Sequence, residues 1–180
     1  TGRLDLGAYT NQTLTGSGTL RGSVVAAANS TISPGDSIGT LTVTGTIKTA
    51  GNILMELNTT NAIKNDMLAA ASINVAGATL TVTNLGPAII NGTTFKLFSS
   101  AITGVLAATN LPSAGTCVWQ DRLAVDGTIT LLSGGAAPIN VAATNITLTT
   151  GVAGSYALTW PADRTGWYLQ TNSAGLDQPT

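Results

Sequence analysis

The chain has 180 residues, 43% of them hydrophobic and 8% charged, with no histidine, one cysteine and a formal net charge of −1. This composition excludes Ser–His and Cys–His nucleophiles and the usual zinc sites, and we predict no cofactor, no bound metal and no enzymatic activity. Seven scattered Lys and Arg residues cannot neutralise a run of phosphates, so nucleic acid is not an expected partner. No apolar stretch is long enough for a membrane helix, and membrane insertion is not expected.

The first segment, residues 1–14, alternates apolar and polar residues around Leu4 and Leu6, which is typical of a β-strand. It has neither the charged nor the apolar region of a signal peptide. Because the Thr-, Gly- and Asn-rich composition is typical of secreted β-structure, we expect a mature exported protein outside the cell or on its surface.

Short runs in which threonine alternates with an aliphatic residue recur along the chain and predict half-buried strands with a wet, uncharged face. The aliphatic pairs are Leu41 with Val43, Leu80 with Val82, and Ile129 with Leu131. Glycines punctuate these runs and predict tight turns between strands. The stretch 59–71 has some helical character, but its Asn and Thr content favours a loop. The runs at 39–49 and 77–83 are similar, although no exact repeat period emerges.

A boundary is predicted in the Gly/Ala/Pro stretch 133–138, beyond which two of the three tryptophans are found. We therefore divide the chain into residues 1–134 and residues 135–180. The short strands between tight turns fit either a β-helix or a sandwich, the similar runs favour stacked rungs in the first part, and the whole chain is predicted to be all-β.

The run Ile32-Ser-Pro-Gly-Asp-Ser-Ile-Gly-Thr-Leu-Thr-Val-Thr-Gly45 resembles the opening of the autotransporter-associated β-strand repeat. The resemblance continues through 52–57, Asn65-Asp66, 79–83, 92–100, Trp119 and 123–128, and so covers most of residues 1–132. It implies a right-handed parallel β-helix or related solenoid with a structural or adhesive role in bacterial surface and secreted proteins.

The segment 158–172 resembles a small β-sandwich-like module that is often appended to such proteins, which implies that a small antiparallel module follows the β-solenoid. That module usually has further strands after this point. An incomplete sandwich exposes a strand edge that another copy can pair with. One hypothesis is therefore a homopolymer in which residues 1–14 of one copy complete the module of the next. The residues predicted to make this contact are Leu4, Leu6, Tyr9, Leu14, Tyr156, Leu158, Trp160, Trp167 and Leu169. End-to-end stacking of solenoids gives a second route to a filament. The alternative is that residues 1–14 are simply the first rung.

Three further groups of residues were weighed as candidate sites. Three of the eight acidic residues, Asp36, Asp126 and Asp163, fall in turns, where they are expected to cap their own backbone. Glu56 and Asp66 are the residual candidates for a glycan-cleaving pair. Trp160, Trp167 and Tyr168 could form a platform for surface glycans or the core of the small module. Cys117 is predicted to be a buried small hydrophobe.

These observations predict a secreted bacterial structural protein that assembles into an extracellular filament or surface matrix. The alternative is an adhesin or a carbohydrate-binding module that uses the C-terminal aromatic residues. A polysaccharide-degrading enzyme is the least favoured interpretation.

Overall fold

The computed structural model describes residues 2–7, 11–113, 117–137, 146–150 and 155–161. The chain divides into two compact units, Thr1–Ala136 and Ala137–Thr180. The strands of the first unit are β1 (Arg3–Asp5), β2 (Thr13–Gly16), β3 (Gly18–Leu20), β4 (Ser23–Ala26), β5 (Thr31–Pro34), β6 (Thr40–Thr49), β7 (Asn52–Leu57), β8 (Met67–Asn74), β9 (Thr79–Asn84), β10 (Thr94–Lys96), β11 (Ala108–Asn110), β12 (Val118–Arg122) and β13 (Thr128–Ser133). A short helix, α1 (Leu123–Asp126), precedes β13, and the second unit contains β14 (Thr147–Thr150) and β15 (Tyr156–Thr159).

Most strands of the first unit belong to two parallel sheets that are stacked coil on coil. Sheet 1 has the order β1-β4-β6-β3, with β8 also paired to β6, and sheet 2 has the order β11-β9-β7-β5-β2. Every strand pair in these two sheets is parallel. The chain therefore winds as a β-solenoid of about four turns, which confirms the predicted all-β solenoid.

The coils become longer along the chain. In sheet 2 the successive partners are Thr13 with Thr31, Thr31 with Asn52, Asn52 with Thr79, and Thr79 with Ala108. The spacing between these stacked partners therefore grows from 18 to 21, 27 and 29 residues. This growth explains why the sequence shows similar runs without a fixed repeat period, since each coil adds residues in its turns.

The core lies between the two sheets and is built from the inward-facing residue of each alternating pair. Ile32, Ile53 and Leu80 are paired in successive strands of sheet 2, and all three are fully buried. Full burial of such a side chain contributes roughly 1.5–3 kcal/mol. The predicted inward pairs at 41 and 43, 80 and 82, and 129 and 131 are all buried, so the period-2 prediction is confirmed there.

The prediction that glycines mark turns between strands is wrong at Gly45. Gly45 lies inside β6, where the pairing with β8 shifts register between Val43 and Thr46. Its main-chain N–H donates to the carbonyl oxygen of Gly22 at 2.7 Å, and a Cβ at this position would lie 2.5 Å from that oxygen. The glycine therefore lets the backbone of two coils meet while the strand continues through the bulge.

The loop predicted over 59–71 is only partly correct. Residues 58–64 form turns, but Met67 begins β8, an eight-residue strand that continues to Asn74 and pairs with β6. Pairing with a neighbouring coil and burial of Leu68 and Ile73 outweigh the weak local preference of the alanine-rich stretch for a strand.

Strands β10, β13 and β12 form an antiparallel sheet in that order, which we call the cap sheet. It buries Phe95, Ile129 and Leu131. Gly127, which ends α1 in a left-handed conformation at φ 80°, accepts hydrogen bonds at its carbonyl oxygen from the N–H groups of Leu97 and Phe98. The cap sheet is therefore attached to the last coil by main-chain bonds.

The described residues of the second unit form one antiparallel pair, β14 with β15. Thr147 lies opposite Thr159 and Leu148 lies opposite Leu158. Small antiparallel sheets thus accompany the solenoid, as the sequence predicted.

Candidate functional site

The described residues of segment 1–14 lie in the first coil of the chain's own solenoid. Strand β1 pairs with β4 and β2 pairs with β5. Leu6 is buried, and Leu4 and Leu14 are half-buried and pack against the core. This is the arrangement that the sequence left open as the alternative to an exchanged strand, and exchange would require both strands to leave their sheets.

The second group of predicted contact residues lies on the β14–β15 pair. Leu148 and Leu158 are direct cross-strand partners, and their side chains are 59% and 39% exposed. Ile146 and Trp160 extend from the ends of the two strands and are 49% and 38% exposed. Among the described residues, this hairpin has an apolar side that is open to solvent. Tyr9, Trp167, Tyr168 and Leu169 lie outside the described residues, as does the side chain of Tyr156.

The two strands of the first coil have different outer edges. On β1, Arg3 and Asp5 form an exposed ion pair. Hydrogen bonding from the Gly7 N–H, followed by that from Arg3, holds the pKa of the Asp5 carboxyl below its usual value. Strand β2 has no charged residue. Charged side chains on an edge strand discourage pairing with another chain, so β1 is protected in this way and β2 is not.

The last strand of sheet 2, β11, lies beside an open groove of about 280 Å³. Ile102, Gly104, Val105, Leu106 and Thr109 line one side of this groove, and Asp121, Leu123 and Ala124 line the other. Strand β11 pairs with β9 on one edge, and no described strand pairs with the other. All three residues of β11 are uncharged and exposed. The sequence analysis did not identify β11, whose three residues Ala-Thr-Asn carry no alternating signal.

Glu56 and Asp66, the residual candidates for a catalytic pair, do come together. Asp66 is 1% exposed, and its two carboxylate oxygens accept the N–H groups of Gly39 at 2.7 Å and Glu56 at 2.8 Å. Burial raises the pKa of Asp66 to about 6, against the lowering effect of these two hydrogen bonds, and the charge of Glu56 adds slightly to the rise. Because both carboxylate oxygens are occupied by main-chain donors, Asp66 joins the start of β6 to β7 and has no open face for a substrate.

The predicted capping role of Asp126 is confirmed. Its Oδ1 accepts the N–H of Thr128 at 3.1 Å and the hydroxyl of the same residue at 2.6 Å, and its Oδ2 accepts Nε of Arg122 at 3.0 Å. The hydrogen bond from the Thr128 hydroxyl is the main cause of a lowered pKa of Asp126. Asp163 lies outside the described residues.

A second pocket, of about 310 Å³, was not anticipated from the sequence. Trp119 forms one wall, with its Nε1 donating to the carbonyl oxygen of Pro112 at 2.8 Å and its ring 6.3 Å from that of Phe95. Cys117, predicted to be buried, is half-buried at this pocket, because it precedes β12 at the edge of the cap sheet. The other lining residues are mainly apolar: Ala88, Ile89, Leu131, Gly134, Gly135 and Ala136, together with Asn84.

Within the described ranges, no three His, Cys, Asp or Glu side chains are grouped so that they could hold a metal ion. The one described helix is too short to cross a membrane. No protein-family model, curated protein or solved structure matches the chain.

Proposed function

We propose that this chain is a structural protein of the bacterial cell exterior that self-associates, through contacts between solenoid ends, into a filament or surface matrix. The proposal rests on the two ends of sheet 2. Its end strands, β2 and β11, are uncharged, and each has one edge that no described strand covers. An unprotected edge of this kind is a template for pairing with another chain.

The outward faces of the sheets fit a role outside the cell. Side chains on the outer face of sheet 2 include Thr13, Thr15, Thr31, Thr79 and Thr81, which are exposed or half-buried. Hydroxyl groups keep such a face hydrated without adding charge, so neighbouring molecules in a matrix do not repel one another electrostatically. The resemblance to the autotransporter-associated β-strand repeat, whose proteins are secreted or bound to the cell surface, supports the same location.

The proposal is tested by sedimentation velocity and negative-stain electron microscopy over a range of protein concentrations. We expect assemblies that grow with concentration, and we expect Thr13→Lys, which places a charge on the free edge of β2, to shift the material towards monomer. Asn52→Lys is the matched control, because it adds the same charge to an exposed residue of the same face on the central strand β7. Monodisperse monomer at every concentration, or equal losses from both variants, would overturn the proposal.

A second candidate, the binding of surface glycans, is favoured by the exposure of Trp160. Its ring lies at the end of β15 and is 38% exposed, and aromatic rings with one open face are suited to stacking on sugars. A glycan array would test this candidate. Binding that is lost in Trp160→Ala but kept in Leu158→Ala, an exposed apolar neighbour on the same hairpin, would support a carbohydrate-binding role.

A further inference from the structure

We infer that the groove beside β11 is an acceptor for strand β2 of a second copy, so that sheet 2 continues from one molecule into the next. This inference rests on the proposed self-association and specifies the surface that performs it. The groove lies in the first unit and is formed by the described residues alone.

The main-chain groups of β2 are arranged for such a contact. The N–H of Thr31 donates to the carbonyl oxygen of Gln12 at 2.8 Å, which identifies the groups of β2 that face β5. Alternate residues of a strand direct their main-chain groups to opposite sides. The N–H and C=O groups of Thr13 and Thr15 therefore face away from β5, towards the free edge.

The register of such a contact follows from the rest of sheet 2. Its strands all run in the same direction, and outward-facing residues always lie opposite outward-facing residues, as Thr79 lies opposite Ala108. Continuing the sheet in this pattern places Thr13 opposite Ala108 and Leu14 opposite Thr109. The half-buried Leu14 then faces the groove, where Leu106 and Ile102 offer apolar contact.

Sheet 1 lacks a matching donor and acceptor pair of edges. Its uncharged strand β3 pairs only with β6 among the described strands, but the last coil of sheet 1 offers no open edge that could receive it. At its first strand, β1, the ion pair between Arg3 and Asp5 protects the edge. At the other end, α1 and Gly127, between the cap-sheet strands β12 and β13, cover the last coil. The N–H groups of Leu97 and Phe98 donate to Gly127 O, and that of Ile102 donates to Leu123 O. The groove exists because Asp121, Leu123 and Ala124 stand beside β11 without pairing with it, which leaves the outer edge of β11 unpaired among the described strands.

A disulfide trap tests the register directly. In a Cys117→Ser background, Thr13→Cys and Ala108→Cys place thiols at the predicted contact. Within one chain these residues are separated by four strand spacings of about 4.8 Å, or roughly 19 Å, which is too far for a disulfide. Any disulfide between them must therefore join two copies. The control pair is Thr13→Cys with Asn52→Cys, because Asn52 is exposed on the central strand β7.

Under mild oxidation we expect the test pair to form disulfide-linked dimers and longer oligomers at least roughly tenfold more efficiently than the control pair, because held thiols react at a high effective concentration. A second pair in the same register, Thr15→Cys with Asn110→Cys, covers the case in which the first variant fails to fold. Sedimentation of the reduced samples distinguishes two failures. Reduced assemblies without selective cross-linking overturn this inference but leave self-association standing, whereas reduced monomer overturns both.

Discussion

The two parallel sheets of the solenoid share their coils but differ in their regularity. Sheet 2 is formed by strands that stack without a register shift and carry a fully buried aliphatic column at Ile32, Ile53 and Leu80. Sheet 1 contains the bulge at Gly45, has a charged first strand and is covered at its last coil by the cap sheet.

This difference indicates that the two sheets have different tasks within one coil. Charges, bulges and covering elements are the usual means of blunting a strand edge, and in sheet 1 they act at β1, at Gly45 and at the last coil. Strand β3 keeps an uncharged free edge, but sheet 1 has no open strand at its other end to pair with it. Sheet 2 has none of these features at β2 or β11 among the described residues, so head-to-tail growth by strand addition is expected on sheet 2.

The largest effect is expected at the column of sheet 2. Ile53→Ala removes a fully buried side chain from the central strand and should lower the free energy of unfolding by about 3 kcal/mol through lost burial and a residual cavity. Urea denaturation followed by circular dichroism measures this change. The control is Leu54→Ala on the same strand, whose side chain is 41% exposed and should cost far less. Equal losses would contradict the assignment of faces.

The next effect concerns the bulge of sheet 1. Gly45→Val places a Cβ against the carbonyl oxygen of Gly22 and should destabilise the fold by about 2 kcal/mol, since two backbones must move apart. Gly2→Val is the control, because a Cβ at Gly2 meets no atom within 4 Å. Thermal unfolding of the two variants side by side gives the comparison, and an unchanged melting temperature for Gly45→Val would show that the coils do not depend on this close approach.

A smaller effect is expected at Asp66, which joins the two sheets through Gly39 and Glu56. Asp66→Asn replaces one acceptor oxygen by a donor and should cost about 1–2 kcal/mol, because a main-chain N–H loses its partner. Urea denaturation below the raised pKa of Asp66, at about pH 4, measures the loss, with the exposed Asp36→Asn as the control. A loss no larger than that of the control would show that the carboxylate does not join the coils.

The same residue makes a prediction about pH. The pKa of Asp66 is raised from 3.8 to about 6 in the folded chain, so the folded state binds more protons than the unfolded state between these values. The contribution of Asp66 to stability is therefore present below about pH 4 and is lost as the pH rises through 6. We expect the difference in unfolding free energy between the parent chain and Asp66→Asn to narrow as the pH rises through this window. A constant difference would contradict the raised pKa.

The smallest effect is expected from the charges on β1. Arg3→Thr with Asp5→Thr leaves the net charge unchanged and should have little influence on stability, because the ion pair is exposed. It should, however, increase association, since β1 then presents an uncharged edge. The control, Arg21→Thr with Asp36→Thr, removes the same charges from exposed residues outside the strands. Sedimentation velocity at matched concentrations gives the answer, and identical profiles would show that these charges do not protect the edge.

The alternation of threonine with aliphatic residues predicted the inward-facing side chains, because it reports directly which side chains face the core. The solenoid was predicted from the similar runs at 39–49 and 77–83 and from the family resemblance. Prediction from the sequence failed where the local pattern of apolar and polar residues does not distinguish a strand from a turn. Strand β8 begins within a stretch predicted to be a loop, and its alanines become strand because β6 lies beside them. Gly45 had the appearance of a strand end because a bulge glycine and a turn glycine look alike in sequence.

Prediction of the candidate site from the sequence was less complete for a related physical reason. The hydrophobic pattern correctly indicated Leu4, Leu6 and Leu14 as apolar strand residues, but it could not tell pairing within the chain from pairing between chains, since both use the same alternation. The groove beside β11 was missed because it is formed by residues 102–109 and 121–124, which are brought together only when the cap sheet folds over the last coil.

The lengthening of successive coils has a consequence for how the chain reaches its fold. Three segments of the first unit, Thr13-Leu14-Thr15, Thr40-Leu41-Thr42 and Thr79-Leu80-Thr81, have the same sequence and are interchangeable as isolated strands. In a solenoid of constant period, a strand that slipped by one whole coil would find an equivalent partner and the error would persist. Here the turn lengths differ from coil to coil, so a slipped strand cannot close its loop over the correct buried residues. The uneven spacing therefore specifies which strand each segment pairs with during folding, so that each strand has one correct neighbour.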